Sequence, residues 1–439
     1  MNPCRRRCPS ARPFRSGILC RLALVFILLA SPSAVWPADS ILAGDEFVLL
    51  ADGPGKGLQG TPAAAFGQHV YLAAWREGWH GKGGSARICA ARVSPSGKVL
   101  DPKGIVVAPT PVGVQERPRA AFGGGLFLVV WQDFRNGQDY DVLAARISPA
   151  GEVLDRQPIA VATGPRNQVL PDVASDGRSF LVVWQGLSGD ETSFRGFAAV
   201  ISADGKVGPP RETGMTPQPN VAWNGAQYLA ASGGAGFWQG NVQTVRLAAD
   251  GKPLGKPVLA IRGTKAAVFS LSAAPGKGWL VVSHRSPPDP WGWGGPGAMR
   301  AVWVNAEGQP ENQDGVKEPA GVQDRLPGWL DLGRAKKPGA TWPWGESASA
   351  FDGQHSVVVW QRHHLCGEKL THFENTDLVA ARLEGYRPLD TEGVSVAASP
   401  VDEARPALAS AGEGRLLLLH EKRQSDGRVS VVGRVLQTE

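Results

Sequence analysis

The sequence predicts an all-β protein, a single closed ring of seven four-stranded blades, and three observations carry that prediction. A short apolar phrase returns far apart in the chain, as FLVVW at 127–131 and 180–184 and SVVVW at 356–360. Stretches with the 3.6-residue period of a helix are scarce. The 56 glycines and 35 prolines punctuate the chain as turns do.

Aligned on that phrase, seven copies stand in register: YLAAW (71–75), FLVVW (127–131), FLVVW (180–184), YLAAS (228–232), WLVVS (279–283), SVVVW (356–360) and LLLLH (416–420). Their last residues are separated by 56, 53, 48, 51, 77 and 60 positions. A unit of about 50 residues with one long insertion is the size of a propeller blade. An apolar run bounded by turns reads as a strand buried on both faces, so the phrase is the second strand of each blade.

Before each copy stands a small-residue segment and a turn, such as PAAAFGQH, PDVASDGR and ASAFDGQH. Alanine and serine suit a first strand crowded against a central axis, and Asp-Gly and Asn-Gly form tight hairpins because glycine accepts positive φ. After each copy comes a third strand ending in a polar turn, as in ICAARVSPSG, VLAARISPAG and LVAARLEGY. Fourth strands read IVVA (105–108), IAVA (159–162), VLAI (258–261) and VSVA (394–397). The last unit has no fourth strand of its own, while FVLLA (47–51) stands before the first unit. Pairing the two closes the ring and leaves no open sheet edge.

Residues 1–38 read as a secretory signal, with six arginines, the apolar run Leu22–Ala30 and small residues after it. The run is too short to span a bilayer, so the mature chain is expected to be no integral membrane protein and to work in the periplasm or outside the cell. The formal charge of +6 is carried by that segment, because Arg5, Arg6, Arg7, Arg12, Arg15 and Arg21 precede the first acid, Asp39. Six minus six leaves a mature chain near neutrality, without the electrostatic footprint of a nucleic-acid binder. Only Cys89 and Cys366 lie beyond the signal. They fall in different blades, a poor placement for a disulfide.

The expected organisation is a signal (1–38) followed by a propeller (44–436) that carries a Trp/Gly/Pro-rich insertion around 284–346. Connections after second and fourth strands emerge on one face of such a ring, and here they are long and varied, as binding loops are. Seven tryptophans fall there: Trp79, Trp238, Trp291, Trp293, Trp329, Trp342 and Trp344. With His80 they are the candidate ligand-binding residues, since tryptophans in Gly/Pro-rich loops either pack a loop core or present flat apolar faces to a ligand. Trp75, Trp131, Trp184 and Trp360 instead occupy the repeat position and are expected to pack between blades.

His363, His364, Cys366 and His372 are the candidate metal ligands, because one loop supplies imidazole and thiolate donors. The sequence demands no cofactor; zinc or calcium are the ions such loops could hold. Carboxylates on this face are numerous, but no nucleophile elbow, HExxH helix or phosphate loop appears. The catalytic residues are therefore unassigned.

With these blades, the chain resembles the secreted bacterial β-propeller proteins whose second strands end in Val-Val-Trp. The resemblance spans residues 44–436 and implies architecture, not a named activity. The expected function is an exported, non-enzymatic monomer that binds a glycan or an envelope or extracellular protein through the long-loop face. A carbohydrate-active hydrolase or lyase on the same face is the alternative.

Overall fold

The computed structural model describes residues 40–439 except 51–57, 79–83, 109–112, 188–192, 216–217, 234–240, 262–265, 286–297, 312–340, 343–345 and 367–371. The described residues form seven antiparallel sheets and no helix. Blade 1 comprises Gln59–Gly67, Val70–Gly78, Ala86–Val93 and Ile105–Val106, paired in that order. Blades 2, 3 and 4 repeat the same order between Gln115 and Ile261. Blade 5 shows three strands among the described residues, Ala266–Ala274, Gly278–Arg285 and Ala298–Asn305. The first strands of neighbouring blades touch one another all the way round, from Gln59–Gly67 to Glu403–Gly412 and back. They surround the axis of a seven-bladed propeller.

Closure follows the predicted route. The last blade pairs Glu403–Gly412, Arg415–Arg423 and Val429–Thr438, and its outer edge is supplied by Ile41–Ala43 and Phe47–Val48 from the start of the described chain. The closing strand is thus two short segments flanking Gly44–Glu46, rather than the single run 47–51.

The repeated phrase is apolar throughout because each second strand is buried on both sides. In blade 2, Phe127, Val129 and Trp131 pack against Leu72, Ala74, Ile88 and Ala90 of blade 1. The alternate residues Leu128 and Val130 pack against Phe180, Val182 and Trp184 of blade 3. Successive side chains of a strand point to opposite faces, so one strand serves two seams. Seven such clusters, one per seam, make up the core of the described residues. Trp75, Trp131, Trp184 and Trp360 are all at most 2% exposed, each within a seam as expected.

Two polar contacts recur between blades. On the short-turn face, Arg92, Arg146 and Arg382 of the third strands each grip an aspartate a few residues on, Asp101, Asp155 and Asp390, through paired contacts of 2.7–3.1 Å. Each then donates from Nη1 to a carbonyl 57 positions ahead in the next blade, Pro149, Ala203 and Glu439. On the long-loop face, the first strands carry a bulge in which Thr61, Arg117, Leu170 and Arg405 adopt φ of 50–55°. Each of these residues precedes a proline. At Leu170 and Thr61, and at Gln218 in the matching position before a proline in blade 4, the backbone N–H turns toward the preceding blade, where the residue after the phrase accepts it. Gln132 Oε1 takes the N–H of Leu170 at 3.0 Å, Gln185 Oε1 that of Gln218 at 3.2 Å and Glu421 Oε1 that of Thr61 at 2.7 Å.

One stretch expected to be a loop is not. In blade 6, whose first strand is Ser347–Phe351, Ser356–Cys366 pairs with His372–Glu384, so that residues 361–366 and 372–377 prolong a hairpin.

Candidate functional site

Where a repeat has a structural spelling, departures from it mark the places with another task. The column after the phrase reads Arg76, Gln132, Gln185, Gly233, His284, Gln361 and Glu421. Glutamine is the structural residue, both donor and acceptor and uncharged. Blades 1 and 7, which are neighbours across the closure, carry arginine and glutamate instead. The tryptophan of the phrase is His420 in blade 7, and the glutamine that opens the first strand (Gln59, Gln115, Gln168) is Glu403 there.

These substitutions build a charged rim at the long-loop end of the axis. Glu346 of blade 6 lies 3.7 Å from Arg405 of blade 7, whose Nη1 is 3.1 Å from Glu421 Oε1. Gly60 admits the next member of the chain. A Cβ there would stand 2.6 Å from Arg76 Nη2 and 2.8 Å from Glu421 Oε1. Burial pulls the Arg76 guanidinium below its usual range, against the opposing charges of Glu421 and Glu116. Arg76 has no acceptor atom, so the glutamine-type contact to the next bulge residue, Arg117, cannot form at this seam.

Blade 2 continues the rim. Glu116 Oε1 accepts hydrogen bonds from Tyr140 Oη at 2.9 Å and from Gln132 Nε2 at 3.0 Å. Tyr140 is fixed by its loop, since Asn167 Oδ1 accepts its N–H and its carbonyl accepts the N–H of Gln168. Burial, then the hydrogen bond to Glu116, pushes the phenol up to about 12, so it acts as a donor. Beyond it Arg119 Nε lies 3.7 Å from Asp172 Oδ1. Burial pushes the Asp172 carboxyl up, with Arg119 opposing. Arg119 and Arg405 keep 42% of their side-chain surface in solvent, so their guanidinium groups have donors to spare. The rim presents alternating donors and acceptors and little net charge.

The residues singled out from sequence fall mostly elsewhere. Trp79, His80, Trp238, Trp291, Trp293, Trp329 and Trp344 lie outside the described residues. Trp342 lies in a short strand whose backbone pairs it with His363 and Thr341 with His364. Of the candidate metal ligands, Cys366 and His372 are opposite one another across the hairpin, while His363 and His364 occupy consecutive positions of its first strand. Only their backbone is described. Cys89 is a free, buried cysteine whose thiol burial pushes up to about 12.

No protein-family model matches this chain, and no curated protein does. Among solved structures it is similar to a protein of unknown function from Dyadobacter fermentans, at 10% identity, covering 91% of this chain and 99% of that one with a TM-score of 0.45. It is also similar to the haemagglutinin-neuraminidase ectodomain of parainfluenza virus 5, at 8% identity, covering 91% and 85% with a TM-score of 0.49. A mutant Trypanosoma rangeli sialidase displaying trans-sialidase activity is 13% identical, covering 79% and 56% with a TM-score of 0.41. Identities this low carry no ligand, activity or residue role across to this chain.

Sequence reasoning passed over Glu116, Arg119, Tyr140, Arg405 and Glu421 because each lies in or beside a strand that reads as regular. A signal was nonetheless present. Comparing the columns that flank the phrase, rather than the phrase itself, isolates Arg76, Glu403, His420 and Glu421.

Proposed function

We propose that this chain is an exported binding protein that holds a saccharide at the long-loop mouth of its ring. The observation that carries the reading is the charged rim from Glu346 to Asp172, built where the blades abandon their structural spelling. Vicinal hydroxyls are both donors and acceptors, and they suit a rim of arginines and carboxylates whose charges nearly cancel. The tryptophans of the surrounding connections, Trp291 and Trp293 foremost, would supply flat apolar faces for the sugar rings.

Calorimetric titration of the purified protein with neutral and acidic oligosaccharides tests it. Saturable binding is expected, with the Arg119→Ala, Arg405→Ala double variant at least tenfold weaker. Absence of saturable heat across the panel sinks the saccharide reading, and full affinity in the double variant moves the site away from the rim.

The hydrolase or lyase alternative draws on one observation, the 2.9 Å hydrogen bond between Tyr140 and Glu116. It pairs a proton donor with a carboxylate beside the same rim. Release of reducing ends from a bound oligosaccharide, lost in Glu116→Gln, would favour it.

A further inference from the structure

The closing blade holds a second cluster that the saccharide reading does not use. Glu403 and His420 stand where blades 1, 2 and 3 have glutamine and tryptophan. In blade 3 that pair is a neutral hydrogen bond, Trp184 Nε1 to Gln168 Oε1 at 2.9 Å. In blade 7 the Glu403 Oε2 atom lies 2.8 Å from His420 Nδ1, and both side chains are at most 1% exposed. A third donor comes from Glu46, between the two segments that complete the blade. One ligand atom of each of the three lies within 4.8 Å of the others.

The outer oxygens of both carboxylates are already held. Ser399 donates to Glu403 Oε1 at 2.6 Å, and Arg434 lies 3.2 Å from Glu46 Oε2. That leaves Glu403 Oε2 turned to the His420 imidazole, while the buried His420 Nε2 has no hydrogen-bond partner. Fixing one oxygen so that the other points inward is how a surrounding shell orients metal ligands. An ammonium already sits among them, with Lys422 Nζ 2.7 Å from Glu46 Oε1 and 3.7 Å from Glu403 Oε1. Lys422 is 19% exposed and sits near the end of its strand.

We propose that Glu46, Glu403 and His420 form a zinc site that clamps the ring closure, and that Lys422 competes with the ion for it. Two carboxylates and one imidazole are a zinc donor set that leaves a fourth position for water. Ligands at about 2.0–2.2 Å in tetrahedral array stand about 3.4 Å apart, so atoms up to 4.8 Å apart would close by as much as about 1.4 Å and the 2.8 Å Glu403–His420 contact would open by about 0.6 Å. Because Glu46 belongs to the closing segment and the other two to the last blade proper, the ion would tie the two ends of the ring together.

The test uses chelator-stripped full-length protein, titrated with zinc chloride and, for spectroscopy, with cobalt chloride. One equivalent of zinc should bind and raise the unfolding midpoint. Cobalt should give visible ligand-field bands. Glu403→Gln and His420→Trp each restore the residue of blades 1, 2 and 3, and both should fold yet lose the bands and the equivalent. Lys422→Met should bind zinc at least threefold more tightly, an effect that a purely structural role for the cluster does not produce. Zinc retained in His420→Trp would belong to the 356–384 hairpin and would overturn the proposal. So would a parent with no stoichiometric zinc, or Lys422→Met binding no better than the parent.

Discussion

The seam between blades 2 and 3 and the seam between blades 7 and 1 are the same construction put to different uses. In the first, Trp184 fills the space between sheets, Gln168 accepts its indole N–H, and Gln132 accepts the bulge N–H of Leu170. These three polar side chains are neutral and each has a partner. In the second, the bulge N–H of Thr61 is still accepted, but by the Glu421 carboxylate, which also faces Arg405 and shares the Gly60 gap with Arg76. The hydrogen bond that spaces the blades survives the exchange of glutamine for glutamate. The added charge is free to serve something else. A repeat can therefore change its chemistry at one position without changing its geometry, provided that the new side chain keeps an acceptor in the same place.

The largest effect should come from breaking the regular seam. Trp184→Ala removes the indole from a closed interface and leaves Gln168 without its donor. It should destabilise the protein by about 4 kcal/mol in denaturant unfolding. Once folded, the variant should bind saccharide like the parent, since Trp184 takes no part in the rim. A loss of binding in properly folded Trp184→Ala would blur the distinction between the two seams.

The short-turn face sharpens the contrast, because there charge is used for structure alone. Burial pushes the Asp101 carboxyl up, but hydrogen bonds from the Arg92 side chain and backbone, with the Arg92 charge, outweigh it and hold it below the usual carboxylate range. A carboxyl with a depressed folded-state pKa contributes stability that is present above its unfolded value, near 4. That stability is lost as pH falls through the folded one. Asp101→Asn should cost about 2 kcal/mol at neutral pH. The loss should shrink toward pH 3 and below, with ligand affinity unchanged throughout. A pH-independent loss would mean that the carboxylate charge does not matter there.

The architecture was legible because it rests on terms that repeat. Two-sided burial spells out FLVVW, tight turns demand glycine, and the closing segment is visible as a strand with no blade of its own. The rim was not, because its members are spread over five blades and acquire meaning only when the ring brings their loop ends together. Tyr140 and Glu116 are 24 positions apart and Arg405 and Glu346 are 59 apart, and no local pattern links them. The tryptophans drew the eye for a physical reason, their apolar area, yet that property does not distinguish a ligand platform from a loop core. Charge in a column whose recurring residue is glutamine is the more discriminating clue, since nothing in the packing of a blade requires it.

The smallest structural change offers the sharpest test of the contrast, through two glycines of one strand. A Cβ on Gly67 would stand 2.0 Å from the Phe122 ring, which is wedged between blades, so Gly67 is required by packing. A Cβ on Gly60 would meet only the far ends of Arg76 and Glu421, which can swing aside. Gly67→Ala should therefore destabilise by about 2–3 kcal/mol as an overpacked core does. Gly60→Ala should leave the unfolding midpoint within about 0.5 kcal/mol of the parent. If the rim is the binding site, the prying apart of Arg76 and Glu421 should nonetheless weaken saccharide binding about tenfold in titration. Gly60→Ala with parental affinity would place Arg76 and Glu421 among the packing residues, and blades 7 and 1 would then differ from blades 2 and 3 in spelling only.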